Sequence, residues 1–148
     1  MQFEIAPVEV EHLLDIDEVE PFDIGQFGLP EPGGVKVVSL AYLIGQKLHA
    51  CTEMLDEGKE NDRARDLMDL LLARRLLERQ ELARVREVCT GIFENRKKHG
   101  WPPDVIVYAS WPSVYSRIAA EEDFPITEVW EAAEQVREFI AEIDAAGP

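Results

Sequence analysis

Lys47 stands at the margin of an apolar helical stripe, three or four places from Leu43, Ile44 and Cys51 in YLIGQKLHACTE. An ammonium there does one of two things. Its methylenes cover apolar surface while the head reaches water, the commoner arrangement, or it is a partly desolvated cation aimed into a cleft at a phosphate or carboxylate. The densest set of chemistry-bearing residues follows in DRARDLMD, where Arg63, Asp66 and Asp69 recur at three-residue spacing and share one helix edge beside Leu67, Leu70 and Leu71. Acids in a first helical turn are explained by the helix dipole and by solvation. Asp69 is not, because it lies mid-helix against leucines, where a carboxylate needs a partner such as Lys47.

The remaining candidates have plainer explanations. His49 points to another side of its helix from Lys47 and has no histidine at i+4 to form a metal pair, so it reads as a surface or structural residue. Glu4, in an expected first strand, has the residue type of a metal ligand but is one of nine acids between residues 1 and 35. The basic run in RKKHGWPP suits a helix C-terminus. Trp101, Tyr108, Trp111, Tyr115 and Trp130 read as packing anchors with their polar tips satisfied at the surface. No GxGxxG, Walker loop, HExxH or GxSxG occurs.

The elements that must position these residues follow from periodicity. FEIAPVEV, FDIGQFGLP and VKVVS read as three short strands, with EPGG as the turn before the third. So small and acidic a ribbon is expected to pack on the helices or to continue a sheet supplied from elsewhere. From Ser39 the period becomes helical. The pattern predicts a helix capped by Ser39 and running to about Met54, a second opening near Asp62 with that carboxylate as cap, and a third over about Arg79 to Lys98. A fourth, capped by Ser110, has Pro112 in its first turn, and a last one from Thr127 carries Val129, Ala133, Val136, Ile140 and Ile143 on one face. The expected class is α+β in one domain: a β segment over residues 1–38, then a bundle of about five helices over 39–148.

Composition bounds the partners. The chain of 148 residues is 46% hydrophobic and 30% charged, as a soluble globular domain is, and no run of 18 apolar residues exists. The N-terminus lacks the basic-then-apolar order of a signal peptide, so the expected location is the cytoplasm, without membrane contact. Cys51 and Cys89 lack disulfide-framework or zinc spacing and are expected as reduced, buried thiols. A net charge of -15 argues against general nucleic-acid binding, although residues 63–98 hold ten of the fifteen basic side chains, where an anionic ligand can dock.

KLHA followed by DRARDLMDLLL, with FEIAP and VKVVSLAYLIGQ before it and IFENRKKHGWPP, WPSVYSRIA and the final helix after it, resembles the nucleotidyltransferase toxins of the AbiEii type, from type IV toxin-antitoxin and abortive-infection systems. The two central stretches look like that family's third and fourth motifs. The resemblance implies that Lys47 contacts a nucleoside triphosphate and that Asp69 is the fourth-motif acid. Asp66 and Arg63 also match family positions, as catalytic and nucleotide-binding residues respectively. His49 matches KLHA without an assigned role, and Gln46 stands where many members have glutamate.

The family's Gly-Ser motif and paired aspartates, which hold Mg²⁺, are not supplied before FEIAP, and Glu4 stands in place of a third metal aspartate. The resemblance is therefore to the C-terminal half of such an enzyme. It implies Mg²⁺ with NTP as the family's cofactor set, an RNA such as tRNA as acceptor, a cognate antitoxin, and no transfer by this half alone, since the charge developing on phosphate would go unneutralised. The rival expectation is a non-catalytic interaction module. Both carry a two-fold homodimer through strand pairing.

Overall fold

The computed structural model describes residues 16–20, 27–28, 33–56 and 59–147. The chain divides into two compact units, Met1–Ser39 and Leu40–Pro148. In the first, β1 (Ile16–Val19) pairs antiparallel with β2 (Val35–Val38) in the register Ile16↔Val38, Asp17↔Val37, Glu18↔Lys36 and Val19↔Val35. The expected strand VKVVS is present as β2. FEIAPVEV with Glu4, most of FDIGQFGLP, and the Glu31–Pro32 half of the turn lie outside the described residues. The partner of β2 is IDEV, a stretch without strong strand signal, so the described residues hold two strands.

The second unit contains five helices: α1 (Leu40–Thr52), α2 (Ala64–Leu76), α3 (Leu82–Arg96) entered through a 3₁₀ turn (Arg79–Glu81), α4 (Trp111–Glu121) and α5 (Val129–Ala145). The fold class is α+β, as the change of period predicts. Leu67, Leu70 and Leu71 of α2 face the core, and each such burial contributes about 2 kcal/mol. The five α5 residues on the predicted face are all buried, joined by Ala132 and Phe139. Both cysteines are free and buried. Gly45 lets α1 lie close on α3: a Cβ there would stand 2.6 Å from Ile92 Cδ1 and 3.6 Å from Cys89 Cα.

Four expectations change. Leu43, placed on the inward stripe of α1, is 37% exposed, and Ala41 and Tyr42 are buried instead. Trp130 is 60% exposed, because Val129, Ala132 and Ala133 already cover the core side of α5. Ser110 occupies the N-cap position of α4, but its side chain makes no capping bond. Asp62 does not cap α2 either: it faces solvent beside Arg63, and the helix begins at Ala64.

No side chain caps α2, and it is Asn61, not Asp62, that bonds across the two helix ends. Its side-chain amide donates to the carbonyls of Ala50 (2.7 Å) and Glu53 (3.1 Å) at the end of α1, and its Oδ1 accepts the Arg63 amide (2.9 Å) at the start of α2. The Trp111 indole N–H of α4 donates to its backbone carbonyl. One buried residue thus bonds backbone groups at the end of α1 and at the entry to α2, tying the two arms of the α1–α2 hairpin together. Replacing Asn61 with Ala removes three part-buried side-chain-to-backbone hydrogen bonds, so we expect a loss of about 1–2 kcal/mol in urea unfolding. A loss below about 0.5 kcal/mol would contradict the staple.

Candidate functional site

The hairpin brings Lys47 of α1 against α2. Its Nζ donates to Asp69 Oδ2 at 2.7 Å and to Asp66 Oδ1 at 2.9 Å. The three side chains are 25%, 25% and 10% exposed for Lys47, Asp69 and Asp66, so the cluster is partly desolvated yet reachable from solvent. The spacing explains the geometry. Asp66 and Asp69 are one turn apart and straddle the same point of α1, while Leu67 and Leu70 turn to the core. Burial alone would lower the Lys47 pKa; the hydrogen bonds it donates to Asp69 and then to Asp66, with the charges of both carboxylates, more than offset it and hold the ammonium above its ordinary 10.5. Lys47 is therefore fully charged at neutral pH.

Arg65 completes the arrangement, and sequence reasoning missed it. Its Nε lies 3.9 Å from Asp69 Oδ1, the carboxylate oxygen that Lys47 does not use, and its Nη2 is 3.1 Å from Glu122 Oε1 just beyond α4. Arg63, expected on this edge, precedes the first turn of α2 and pairs at 3.7 Å with exposed Asp62. The three-residue spacing from Asp66 counted Arg63 as helical, which it is not. Asp69 at i+4 from Arg65 was the available signal.

On the opposite side of α1, His49 is buried, not a surface residue. Its Nδ1 faces the Arg96 guanidinium at 3.3 Å. Arginine only donates, so Nδ1 carries the lone pair and Nε2 the proton. Thr52 Oγ1 donates to the Leu48 carbonyl at 2.6 Å and therefore accepts from His99 Nε2–H at 2.8 Å, which leaves His99 Nδ1 as an acceptor. The two rings sit 4.7 Å apart, both at the edge of Phe93, with the His49 donor and the His99 acceptor buried. Two separate polar links result, Arg96 to His49 and His99 through Thr52 to the Leu48 carbonyl, while His49 Nε2 and His99 Nδ1 make no hydrogen bond; together with the ring contacts they tie the end of α1 to the end of α3 and the residues just after it. Burial, then Arg96, His99 and Lys98, lower the His49 pKa to about 4; burial also lowers His99, with Glu53 opposing.

Neither cysteine is set up as a nucleophile. Burial pushes both thiols well up, that of Cys89 to about 12. Among the described residues, no group of three or more His, Cys, Asp or Glu side chains is placed to hold a metal ion. Asp66 and Asp69 are both bonded to Lys47, so the described residues do not themselves build a metal centre, and Glu4 lies outside them. No helix among them is long and apolar enough to cross a membrane.

A short antiparallel ribbon followed by five helices defines an α+β protein of the kind in which a helical hairpin displays charged side chains. The family model described as nucleotidyl transferase AbiEii toxin, type IV TA system, matches residues 2–148, and the chain belongs to that family. It is thus a member of a nucleotidyltransferase toxin family from toxin-antitoxin systems, whose enzymes generally use a divalent metal. A comparison with individually curated proteins found no match.

The histidine pair generates a pH prediction. An unfolded histidine titrates near 6.5, so between pH 6.5 and about 4 the unfolded chain binds the more protons. Stability from neutral His49 is complete above pH 6.5 and is lost as pH falls through that window. The unfolding free energy of the wild type should therefore fall faster than that of His49→Gln, by up to about 1.4 kcal/mol per pH unit. Parallel profiles in denaturant titrations would contradict the buried neutral histidine.

Proposed function

We propose that the α1–α2 face grips the phosphate chain of a nucleoside triphosphate, as part of nucleotidyl transfer by a toxin of this family. The observation that supports the reading is the Lys47 ammonium, charged, positioned by two carboxylates at 2.7 and 2.9 Å, and still open to solvent. In the free protein Asp69 and Asp66 hold the cation in one place. An arriving phosphate oxygen replaces one carboxylate in the ammonium's coordination, so Lys47 binds without first losing side-chain entropy. Asp69, as the fourth-motif acid, and Asp66 then serve as the residues that return Lys47 after release.

The 148 residues contain no Gly-Ser dipeptide. We infer that the residues that carry Mg²⁺ with the NTP come from a further segment or another chain, and that this chain alone binds but does not transfer. The acceptor in this reading is an RNA, steered to the basic stretch 63–98 because the net charge of -15 repels phosphate elsewhere. The family description supports an antitoxin as a further partner. A second reading is a non-catalytic module that dimerises through its ribbon; each of its two described strands is paired on one side only among the described residues.

Calorimetric titration with each NTP and Mg²⁺ separates the two readings. Binding in the micromolar to millimolar range, weakened about tenfold or more in Lys47→Ala, is the result expected for a phosphate grip. The absence of heat with every nucleotide would overturn it in favour of the module.

A further inference from the structure

We propose that Arg65 is the second cation of the phosphate site, held in reserve by Glu122, and that with Lys47 it selects a chain of linked phosphates over a single one. The inference rests on the phosphate-grip reading of Lys47 and extends it to Arg65, a residue of the DRARDLMD stretch to which the resemblance gives no role.

Asp69 divides its two oxygens between two cations: Oδ2 takes Lys47 at 2.7 Å and Oδ1 faces Arg65 Nε at 3.9 Å. One carboxylate thus sets both positive heads side by side on the same face of the α1–α2 hairpin. A lone phosphate satisfies one of them. A polyphosphate chain, with several charged oxygens along its length, reaches both. The guanidinium is suited to the second position because its planar fork bonds two phosphate oxygens at once, as an ammonium does not.

Availability decides whether Arg65 can act. Its side chain is 55% exposed, and its shortest contact, 3.1 Å to Glu122 Oε1, joins two exposed groups. Such pairs are weak and screened by salt, so Arg65 leaves Glu122 at little cost. The five side chains Lys47, Arg65, Asp66, Asp69 and Glu122 sum to one net negative charge. An anion therefore binds by displacing carboxylates from the cations rather than by joining an already positive patch. Glu122 is the most easily displaced of the three, being half exposed, and it competes with the ligand for the guanidinium. Because it sits just past the C-terminal end of α4, it also makes the poise of the site depend on where α4 ends.

This competition gives opposite expectations for two fold-neutral surface changes. In calorimetric titrations with sodium tripolyphosphate at low ionic strength, Arg65→Ala should weaken binding about tenfold, whereas Glu122→Gln should tighten it roughly threefold. Inorganic phosphate should bind more weakly than tripolyphosphate and respond little to Arg65→Ala. A gain of affinity in Glu122→Gln is not produced by loss of folding, which separates a direct role from a structural one. If the wild type binds tripolyphosphate, Lys47→Ala weakens it, and neither Arg65→Ala nor Glu122→Gln changes it, the second-cation inference is overturned and the Lys47 reading stands. No tripolyphosphate binding by the wild type overturns both.

Discussion

One ammonium between two carboxylates constrains most of what surrounds it. Lys47 is too enclosed to sit there unpaired, and Asp66, at 10% side-chain exposure, is more enclosed still. Each charge is tolerable only because the others are present. The helices that carry them must therefore meet in one register. A slip of one residue in the loop between α1 and α2 would turn the ammonium away from the acids and leave partly desolvated charge unpaired on both sides. That requirement explains why Asn61 is buried and why its three side-chain hydrogen bonds reach both helix ends.

The rotation of α1 is held from its far side as well. Gly45 admits Ile92 and Cys89 to close contact, and two separate polar links, Arg96 to His49 and His99 to Thr52, hold the last turn of α1 against the end of α3 and the residues after it. Lys47 and His49 are two residues apart and so face nearly opposite ways. Neutral imidazoles on one side and an ion cluster on the other make a helix whose position is set by polar chemistry on both flanks, with Ile44, Leu48 and Cys51 supplying the apolar contact between. The KLHA pattern becomes intelligible in these terms: the lysine is the displayed group, and the histidine orients the helix that displays it.

The helices were legible because their periods, prolines and breaks are strong local signals, and α2, α3, α4 and α5 begin or end close to the residues those signals mark. The Lys47–Asp69 pair was legible for a different reason. A mid-helix carboxylate among leucines requires a partner, and Lys47, at the margin of an apolar stripe, is a cation with the matching need. What local patterns could not show is competition between neighbours. Asn61 and Asp62 are both good capping types, and only the tertiary position of the α1 carbonyls selects Asn61. Arg63 and Arg65 are both near Asp69 in sequence, and the helix start at Ala64 decides for Arg65. Leu43 and Trp130 were misplaced because an apolar stripe gives the width of a face but not how much of it a neighbouring helix covers. Local pattern leaves the surface and structural alternatives for His49 open, because the partner that decides for the structural one, Arg96, is 47 residues away.

The central claim is that the Lys47 ammonium is held by carboxylates in the free protein and is transferred to phosphate on binding. It is tested most directly by following the Lys47 side-chain ammonium and Cε resonances, assigned with Lys47→Arg, during titration with a nucleoside triphosphate. The account predicts a saturable shift at Lys47 that tracks the binding curve, accompanied by shifts of the Asp66 and Asp69 carboxyl carbons as they lose their hydrogen bonds. Saturable binding with all three signals unmoved would contradict it and place the ligand elsewhere on the chain.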